Sequence, residues 1–525
     1  MRLIAAQSRA KLRAMQPTPP SLLEALRADL GARHVRVAGV DRVAYARDLW
    51  PRTQLDRLVG EAPTLPDAIV WPGTTAEVAR VVRLCAEAGV PIVPFGAGSG
   101  VCGGTLPSLG GIVVDLKRLK ALRRFAPEDG IIEVEAGYMG ERLERVLEHR
   151  GYTLGHFPSS ILCSTVGGWV AARSAGQCSS RYGKIEDMVV DLEVVTGDGV
   201  VRRTPRHDHL GPGLDWNQIF TGSEGTLGLI TSATLKIHPQ PEARAFRGWR
   251  VPNFEAGLTV MREAMQAGLR PAVLRLYDPL DTLMVGSDGD KQRSGPLQQV
   301  KKQLLGGGRF LKTVLKHPTW MNRAAGLAPQ RCLLVTMTEG SPYEARSADE
   351  ALAEFARAAG GEDLGEGPGR AWLAHRYDVS FKQSKVYASG AFVDTFEVAA
   401  TWDRVPEVYR AVCAAVRDHV VVMAHFSHAY PGGCSIYFTF SGAAESPEAC
   451  RDRYTAAWQA GLDAALASGA AIAHHHGVGL SRRTHMHAAH GEARQWFEAL
   501  KATLDPAGVL NPGKVFATPE APDAP

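Results

Sequence analysis

The chain has 525 residues, 45% apolar and 22% charged, which suits a soluble globular protein of two or three domains. Its 59 Lys and Arg exceed its 55 Asp and Glu by only 4, too little overall for a nucleic-acid binder. The eight cysteines form no C-x-x-C pair or disulfide framework, which fits a reducing compartment. The N-terminus M-R-L-I-A-A-Q-S-R-A-K-L-R lacks a signal-peptide core, and no run of about 20 apolar residues could span a bilayer.

Residues 1–60 read as an N-terminal helical segment. Leu22, Leu23, Leu26 and Leu30 share one helical face, with Gly31 placed to cap it. A β-α-β unit follows. Ile69-Val70-Trp71 is a strand, Thr74 or Thr75 caps the next helix, and Val78, Val81, Val82 and Cys85 form its buried stripe before Gly89.

The apolar run Val90 to Phe95 then empties into glycines at 96, 98, 100, 103 and 104. Glycines this dense leave backbone N–H groups uncovered, and converging N–H dipoles can cradle a pyrophosphate. Gly98, Gly100 and Gly103 satisfy G-x-G-x-x-G, but Pro107, Gly110 and Gly111 prevent the helix that a dinucleotide fingerprint requires. Ile112 to Leu116 reads as another strand, so a strand-loop-strand cradle is expected. Strands are also expected at Ile131 to Glu135, Met188 to Thr196 and Val200 to Arg203, and a helix over Met139 to Arg150. Between them, Pro158 to Asp187 is dominated by small and hydroxylated residues, which suits close approach of a flat ligand and its phosphates. Gly222 to Ile230 enters a β-hairpin with a second glycine-rich turn.

The composition shifts near His238-Pro239. Strands (Ala272 to Tyr277, Cys332 to Thr338, Ala391 to Ala399, Ser435 to Ser441) then alternate with helices (Phe254 to Ala267, Tyr343 to Ala358, Val405 to His419). The pattern predicts an α+β cap on an antiparallel sheet. Arg275 is a cation within an apolar strand and needs an anion, either a substrate phosphate or Asp278 or Glu397. Tyr437 shares a strand face with Ser435 and Thr439. His474-His475-His476-Gly477-Val478-Gly479 places three imidazoles before a tight turn. They cannot all point one way, so the run is expected to serve as donors, acceptors or proton carriers, with no metal bound.

Together these motifs resemble the FAD-binding PCMH-type flavoproteins of the vanillyl-alcohol oxidase superfamily. P-F-G-A-G-S-G-V-C-G-G is similar to their pyrophosphate loop, and S-T-V-G-G-W-V-A-A-R and S-E-G-T-L-G-L-I to their other FAD segments. Within the superfamily, R-Y-G-K-I-E-D-M-V-V, F-E-V-A-A-T-W-D-R-V and H-H-H-G-V-G resemble the alkylglycerone-phosphate synthase family. The resemblance implies an α+β fold: a two-subdomain PCMH-type FAD-binding domain at 61–240 and an α+β substrate (cap) domain with an antiparallel sheet at 241–465. A C-terminal segment, 466–516, would complete the active site, and 517–525 would be a disordered tail.

The same resemblance implies FAD contacts from Pro94, Phe95, Gly96, Ala97, Gly98, Ser99 and Gly100. It adds Pro158, Ser159, Ser160, Ile161, Leu162, Cys163 and Ser164, then Ala171, Ala172, Arg173 and Ser174. The last set is Glu224, Gly225, Thr226, Leu227, Gly228, Leu229 and Ile230. Tyr437 would be the acid–base residue beside His474, His475 and His476, and Arg275 would orient the substrate. The implied reaction exchanges the acyl chain of acyl-dihydroxyacetone phosphate for a fatty alcohol in ether-lipid synthesis, through an adduct at flavin N5.

Two departures from the family stand out. Its Y-I-R-D arginine corresponds here to Gln383, in Phe381-Lys382-Gln383-Ser384, so Lys382 or Lys385 would have to compensate. Its eukaryotic peroxisomal N-terminal extension is expected to be absent. Flavin-tethered relatives carry His where Ser99 stands, so the FAD is expected to be non-covalent. The rival on the same scaffold is an FAD-dependent D-2-hydroxyacid dehydrogenase of the lactate or glycolate type. Such enzymes carry G-E-H-G in place of H-H-H-G; His425 and His428 keep an H-x-x-H spacing, but no glutamate precedes His476.

Lys291 to Arg323 holds eight basic residues and no acidic one, leaving 51 basic against 55 acidic residues elsewhere. Interleaved with leucines and Trp320, this segment, 291–323, is expected to lie on a membrane surface. The expected setting is cytoplasmic, at the inner face of the membrane, with a lipid-like small-molecule substrate, no nucleic acid, and a homodimer left open.

Overall fold

The computed structural model describes residues 18–208, 213–289, 308–326, 330–378 and 384–517. The N-terminal helix Pro20–Leu30 buries Leu22, Leu26 and Leu30. They pack on the helix Thr75–Ala88, which Thr74 caps by accepting the Glu77 N–H. Beneath lies a four-stranded sheet in the order Val35–Arg36, Ala68–Val70, Ile112–Asp115, Ile92–Phe95. Its last three strands are parallel, with Ile92 opposite Ile112 and Phe95 opposite Asp115. The glycine loop therefore leaves the carboxyl end of one parallel strand, and no helix follows it before the next. That is the strand-loop-strand arrangement read from Pro107, Gly110 and Gly111.

A second, antiparallel sheet has the order Leu122–Ala126, Ile131–Glu135, Leu229–Lys236, Val189–Val195, Val201–Arg203. Here the structure corrects one local reading. Leu229–Lys236 is not a hairpin arm but a central strand, pairing with Ile131–Glu135 on one side and Val189–Val195 on the other. Both partners are distant in sequence, and seven of its eight residues are buried, as a central strand requires.

The third sheet organises the rest. Seven antiparallel strands run in the order Glu362–Asp363, Ala243–Val251, Cys332–Gly340, Val273–Tyr277, Val421–Tyr430, Gly433–Gly442, Phe392–Thr401. Strand alternation sends Leu274, Leu276, Phe396, Val398, Ala424, Phe426, Ile436 and Phe438 to one face. There they meet the helices Phe254–Gln266, Pro342–Ala358, Val405–Val416 and Pro447–Ala467 in the largest hydrophobic core. The same alternation turns polar residues to the opposite face, against which the short helix Ser179–Tyr182 packs. This is an α+β fold. Residues 518–525 of the proposed tail, residues 379–383 around Gln383 and residues 290–307 of the basic segment lie outside the described residues.

Candidate active site

Sheet register builds the site. Glu397 is opposite Tyr437, Tyr437 opposite His425, and His425 opposite Tyr277, one row across four strands. Directly opposed residues share a face, so the consecutive strands Val421–Tyr430 and Gly433–Gly442 and the earlier strand Phe392–Thr401 place Glu397, Tyr437 and His425 side by side. The His425 and Tyr437 rings stack at 4.8 Å and 17°. Arg275, two residues from Tyr277 on the same face, donates from Nη2 to His425 Nε2 at 2.7 Å. Neither Asp278 nor Glu397 is its partner, and its Nε is buried without a hydrogen-bond partner among the described residues. Because a guanidinium only donates, His425 accepts at Nε2 and carries its proton on Nδ1, 3.4 Å from Asp281 Oδ2. Burial and the Arg275 charge hold His425 well below the ordinary imidazole range. Burial likewise pushes the Asp281 carboxyl up to about 7, against the pull of Arg275.

The histidine triplet enters from the C-terminal segment, whose Ala471 exchanges both backbone hydrogen bonds with Ala399. Buried charges then tether it at successive points. Glu397 Oε1 accepts the N–H groups of His474, His475 and His476 at 3.0, 2.9 and 2.9 Å. Lys184 Nζ donates to the His474 carbonyl at 2.9 Å, and Arg482 Nη1 to the Gly477 carbonyl at 2.7 Å. Glu224, itself at φ 50°, accepts from Val478 and Gly479. Gly479 admits no side chain: at φ 52°, a Cβ there would lie 2.1 Å from the Cys102 carbonyl of the glycine loop.

Held in this way, the three rings diverge, with neighbouring planes at 83° and 66°. His474 Nε2 meets Tyr430 OH at 3.3 Å, and its Nδ1 meets His475 Nδ1 at 2.9 Å, so one of that pair donates and the other accepts. His476 Nε2 is 3.1 Å from Tyr437 OH, which also accepts from Thr395 Oγ1 at 3.3 Å. His428 stands at a bulge with φ 51°, and its Nδ1 is bonded to Ser179 Oγ at 2.7 Å.

Burial sets the protonation pattern. His474 and His475 are pushed well below the ordinary range by desolvation and by neighbouring positive groups. The Tyr437 phenol is pushed up by burial, which its bond with Thr395 only partly offsets. Burial alone would raise Glu397 too, but Arg482, His476 and His475 together hold it well below the carboxylate range. The result is neutral His474 and His475 imidazoles and a neutral phenol beside an ionised carboxylate.

The glycine loop faces the same region. From Ala97 to Val101 no backbone N–H donates to a protein acceptor among the described residues, a run of uncommitted donors at the end of a parallel strand. Lys117 Nζ holds the Gly96 carbonyl at 2.9 Å and pairs with the fully buried Asp115. The other expected cofactor segments divide in two. Ser159, Leu162, Cys163 and Arg173 are exposed, with Ser160, Ala171, Ala172 and Ser174 part-buried. Pro158, Ile161, Ser164, Gly225, Thr226, Leu227, Gly228, Leu229 and Ile230 are buried, and Leu227 and Ile230 are part of the antiparallel sheet's core.

Residues 66–205 match the family described as FAD binding domain, and residues 240–515 match FAD linked oxidases, C-terminal domain. The chain belongs to the FAD-linked oxidase family. An alkyldihydroxyacetonephosphate synthase of Trypanosoma brucei brucei is 29% identical over 534 residues, covering 97% of this chain and 83% of that protein. Glycolate oxidase subunit GlcD of Bacillus subtilis (strain 168) is 26% identical over 491 residues, 91% of this chain and 92% of that protein. A solved alkyldihydroxyacetonephosphate synthase superposes at a TM-score of 0.74 and 23% identity, covering 96% of this chain and 86% of that one. The protein thus has the PCMH-type fold with an α+β cap, and FAD is its cofactor.

The residues present fit that cofactor, since uncommitted N–H groups at the glycine loop match a pyrophosphate. Ser99 offers no nucleophile of the kind that tethers a flavin. Acid precipitation is therefore expected to release the yellow colour into the supernatant; colour retained on the denatured polypeptide would disprove a non-covalent FAD. Three residues of the site escaped sequence reasoning. Lys184 and Arg482 were not singled out, and Glu397 was considered only as a partner for Arg275. Glu397 is a charge within an apolar strand, whereas Lys184 and Arg482 lie among other charged and polar residues that read as solvated.

Proposed function

We propose that this member of the FAD-linked oxidase family is an alkylglycerone-phosphate synthase-like enzyme, exchanging the acyl chain of acyl-dihydroxyacetone phosphate for a fatty alcohol. The observation that carries the reading is the neutral Tyr437 phenol bonded to His476 and flanked by His425 and His475. Similarity along nearly the whole chain to a synthase of that name supports it. Bound FAD, its pyrophosphate held by the glycine loop, would supply an electrophilic, redox-active ring. Tyr437 Oη moves the proton at the substrate carbon next to the one that exchanges its acyl group. His475 has its Nδ1 engaged by His474, which leaves its Nε2 to meet the departing carboxylate. Arg275, with an uncommitted Nε, orients the anionic end of the substrate.

The second reading, an FAD-dependent D-2-hydroxyacid dehydrogenase, is favoured by the similarity to GlcD. Against it, Arg275 engages Nε2 of His425 and Ser179 engages Nδ1 of His428, so one ring nitrogen of each is already committed within the protein. Stopped-flow mixing separates the two. Acyl release without net electron transfer supports the synthase, whereas a D-2-hydroxyacid that bleaches the flavin supports the dehydrogenase.

A long-chain substrate must reach the site from a bilayer, so we place the protein at a membrane surface through 291–323. No helix among the described residues is long and apolar enough to cross a membrane. In the described part, Trp320 is 71% exposed while Leu315 is buried, and Lys316 pairs with Glu445. Liposome flotation is expected to increase with anionic lipid and weaken at high salt, at roughly 1 kcal/mol per cation engaged. Flotation unchanged by charge reversal at Lys301, Lys302, Lys312 and Lys316 would show a solvated loop instead.

A further inference from the structure

Glu397 is surrounded by donors. Its Oε1 takes three consecutive backbone N–H groups, and its Oε2 takes Arg482 Nη2 and lies 3.1 Å from His476 Nδ1. Neither Glu397 nor Arg482 has any exposed side-chain surface. His476 Nδ1 is buried and makes no hydrogen bond of good geometry among the described residues, but it lies 3.1 Å from this carboxylate. An ionised carboxylate only accepts, so a proton is favoured on Nδ1, which in the neutral ring leaves Nε2 bare. On the other side of that ring, Tyr437 oxygen accepts from Thr395 Oγ1 and has its own proton free for His476 Nε2. The order is therefore one-directional: Thr395 donates to Tyr437, Tyr437 to His476, and the other ring nitrogen of His476 faces the Glu397 carboxylate.

We propose that Glu397 is a positioning residue that fixes His476 as its Nδ1–H tautomer and so makes His476 Nε2 the acceptor of the Tyr437 phenolic proton. It touches no reacting atom and acts through His476. The consequence for turnover rests on Tyr437 being the acid–base group. When Tyr437 Oη takes a proton from substrate carbon, that C–H bond breaks and its electron pair stays on the carbon. The phenol's own proton passes to His476 Nε2, an O–H bond breaking as an N–H bond forms. The imidazolium then sits against a carboxylate that is already ionised, and reversal of both transfers restores the resting state. The buried Arg482 keeps Glu397 charged throughout, as a desolvated acid–base chain requires.

The test uses the FAD-loaded protein labelled with ¹⁵N-histidine and long-range ¹H–¹⁵N correlation spectra, with His476 assigned from the signal lost in His476→Asn. In the wild type, His476 is expected with Nδ1 protonated and Nε2 in the unprotonated range. In Glu397→Gln, the amide oxygen stays with the three N–H groups, so its NH₂ is turned toward His476 and the tautomer shifts to Nε2–H. A wild-type His476 protonated at Nε2 overturns the proposal, as does an unchanged tautomer in the variant. If Glu397→Gln does not fold, the wild-type spectrum alone decides. In the assay that turns over, kcat of Glu397→Gln is expected to fall about 10²–10⁴-fold with KM little changed. A rise in KM at unaltered kcat would reduce Glu397 to a ground-state contact and overturn its role. The spectra need no substrate, so failure of the synthase reading leaves the tautomer result intact.

Discussion

Tyr437→Phe is expected to retain FAD and lose turnover by about 10²–10⁴-fold, the usual contribution of a positioned acid–base group. At 1.36 kcal/mol per tenfold, this is roughly 3–5 kcal/mol of transition-state stabilisation. The ring itself is unchanged, so its stacking on His425 at 4.8 Å survives. What disappears is the hydroxyl that bonds to His476 and receives Thr395. Losing hydrogen bonds of that kind costs about 1 kcal/mol each, which is small beside the kinetic effect. A loss of activity with normal FAD content and a nearly normal melt would assign the defect to chemistry. Burial keeps the phenol neutral at ordinary pH, so Tyr437 works only if a neighbour accepts its proton, and His476 is the neighbour in contact. Turnover at the wild-type rate in Tyr437→Phe would remove Tyr437 from the mechanism.

The parts of this protein legible in its sequence are those set by nearby residues. Five glycines after an apolar strand foretell the loop, and Thr74 before the Val78–Val81–Val82–Cys85 stripe foretells a capped helix. Arg275 and Tyr437 stood out because polar groups in apolar strands need partners. Which partners they have depends on register between distant strands, and no local pattern encodes it. Arg275 meets His425 across 150 residues of sequence, and Tyr437 meets His476 across 39. The strand Val421–Tyr430 carries His425 but was missed, because V-V-M-A-H-F-S-H-A-Y has no clean alternation. Its bulge at His428 breaks the period of two where the site begins. Leu229–Lys236 reads as a hairpin arm for a similar reason: its own residues are strand-like, but the partners of Ser232 lie 39 and 97 positions away at Glu193 and Glu135. Arg482 was invisible because S-R-R-T looks like a solvated turn, whereas the fold gives its side chain no exposed surface.

That burial makes Arg482→Met the largest stability change expected here. Glu397 and Arg482 are both fully buried, and removing one partner leaves the other charge uncompensated, which typically costs about 3–5 kcal/mol. Arg482 also donates to the Gly477 carbonyl and to Cys102 Sγ, so its loss loosens the histidine turn from the glycine loop as well. Urea unfolding of the FAD-loaded protein should show the midpoint falling accordingly. Adding Glu397→Gln to Arg482→Met should recover part of the loss, because a neutral amide is less costly to bury than a lone carboxylate. The pH dependence has a defined sign. Glu397 has its folded pKa depressed, so its contribution is fully present above the unfolded carboxyl value of about 4.3 and is lost as pH falls through the folded value. The gap between wild type and Arg482→Met should therefore be full at neutral pH and close on acidification. A midpoint unmoved by Arg482→Met, or a gap that widens in acid, would mean that the pair is not what holds the histidine turn against Tyr437.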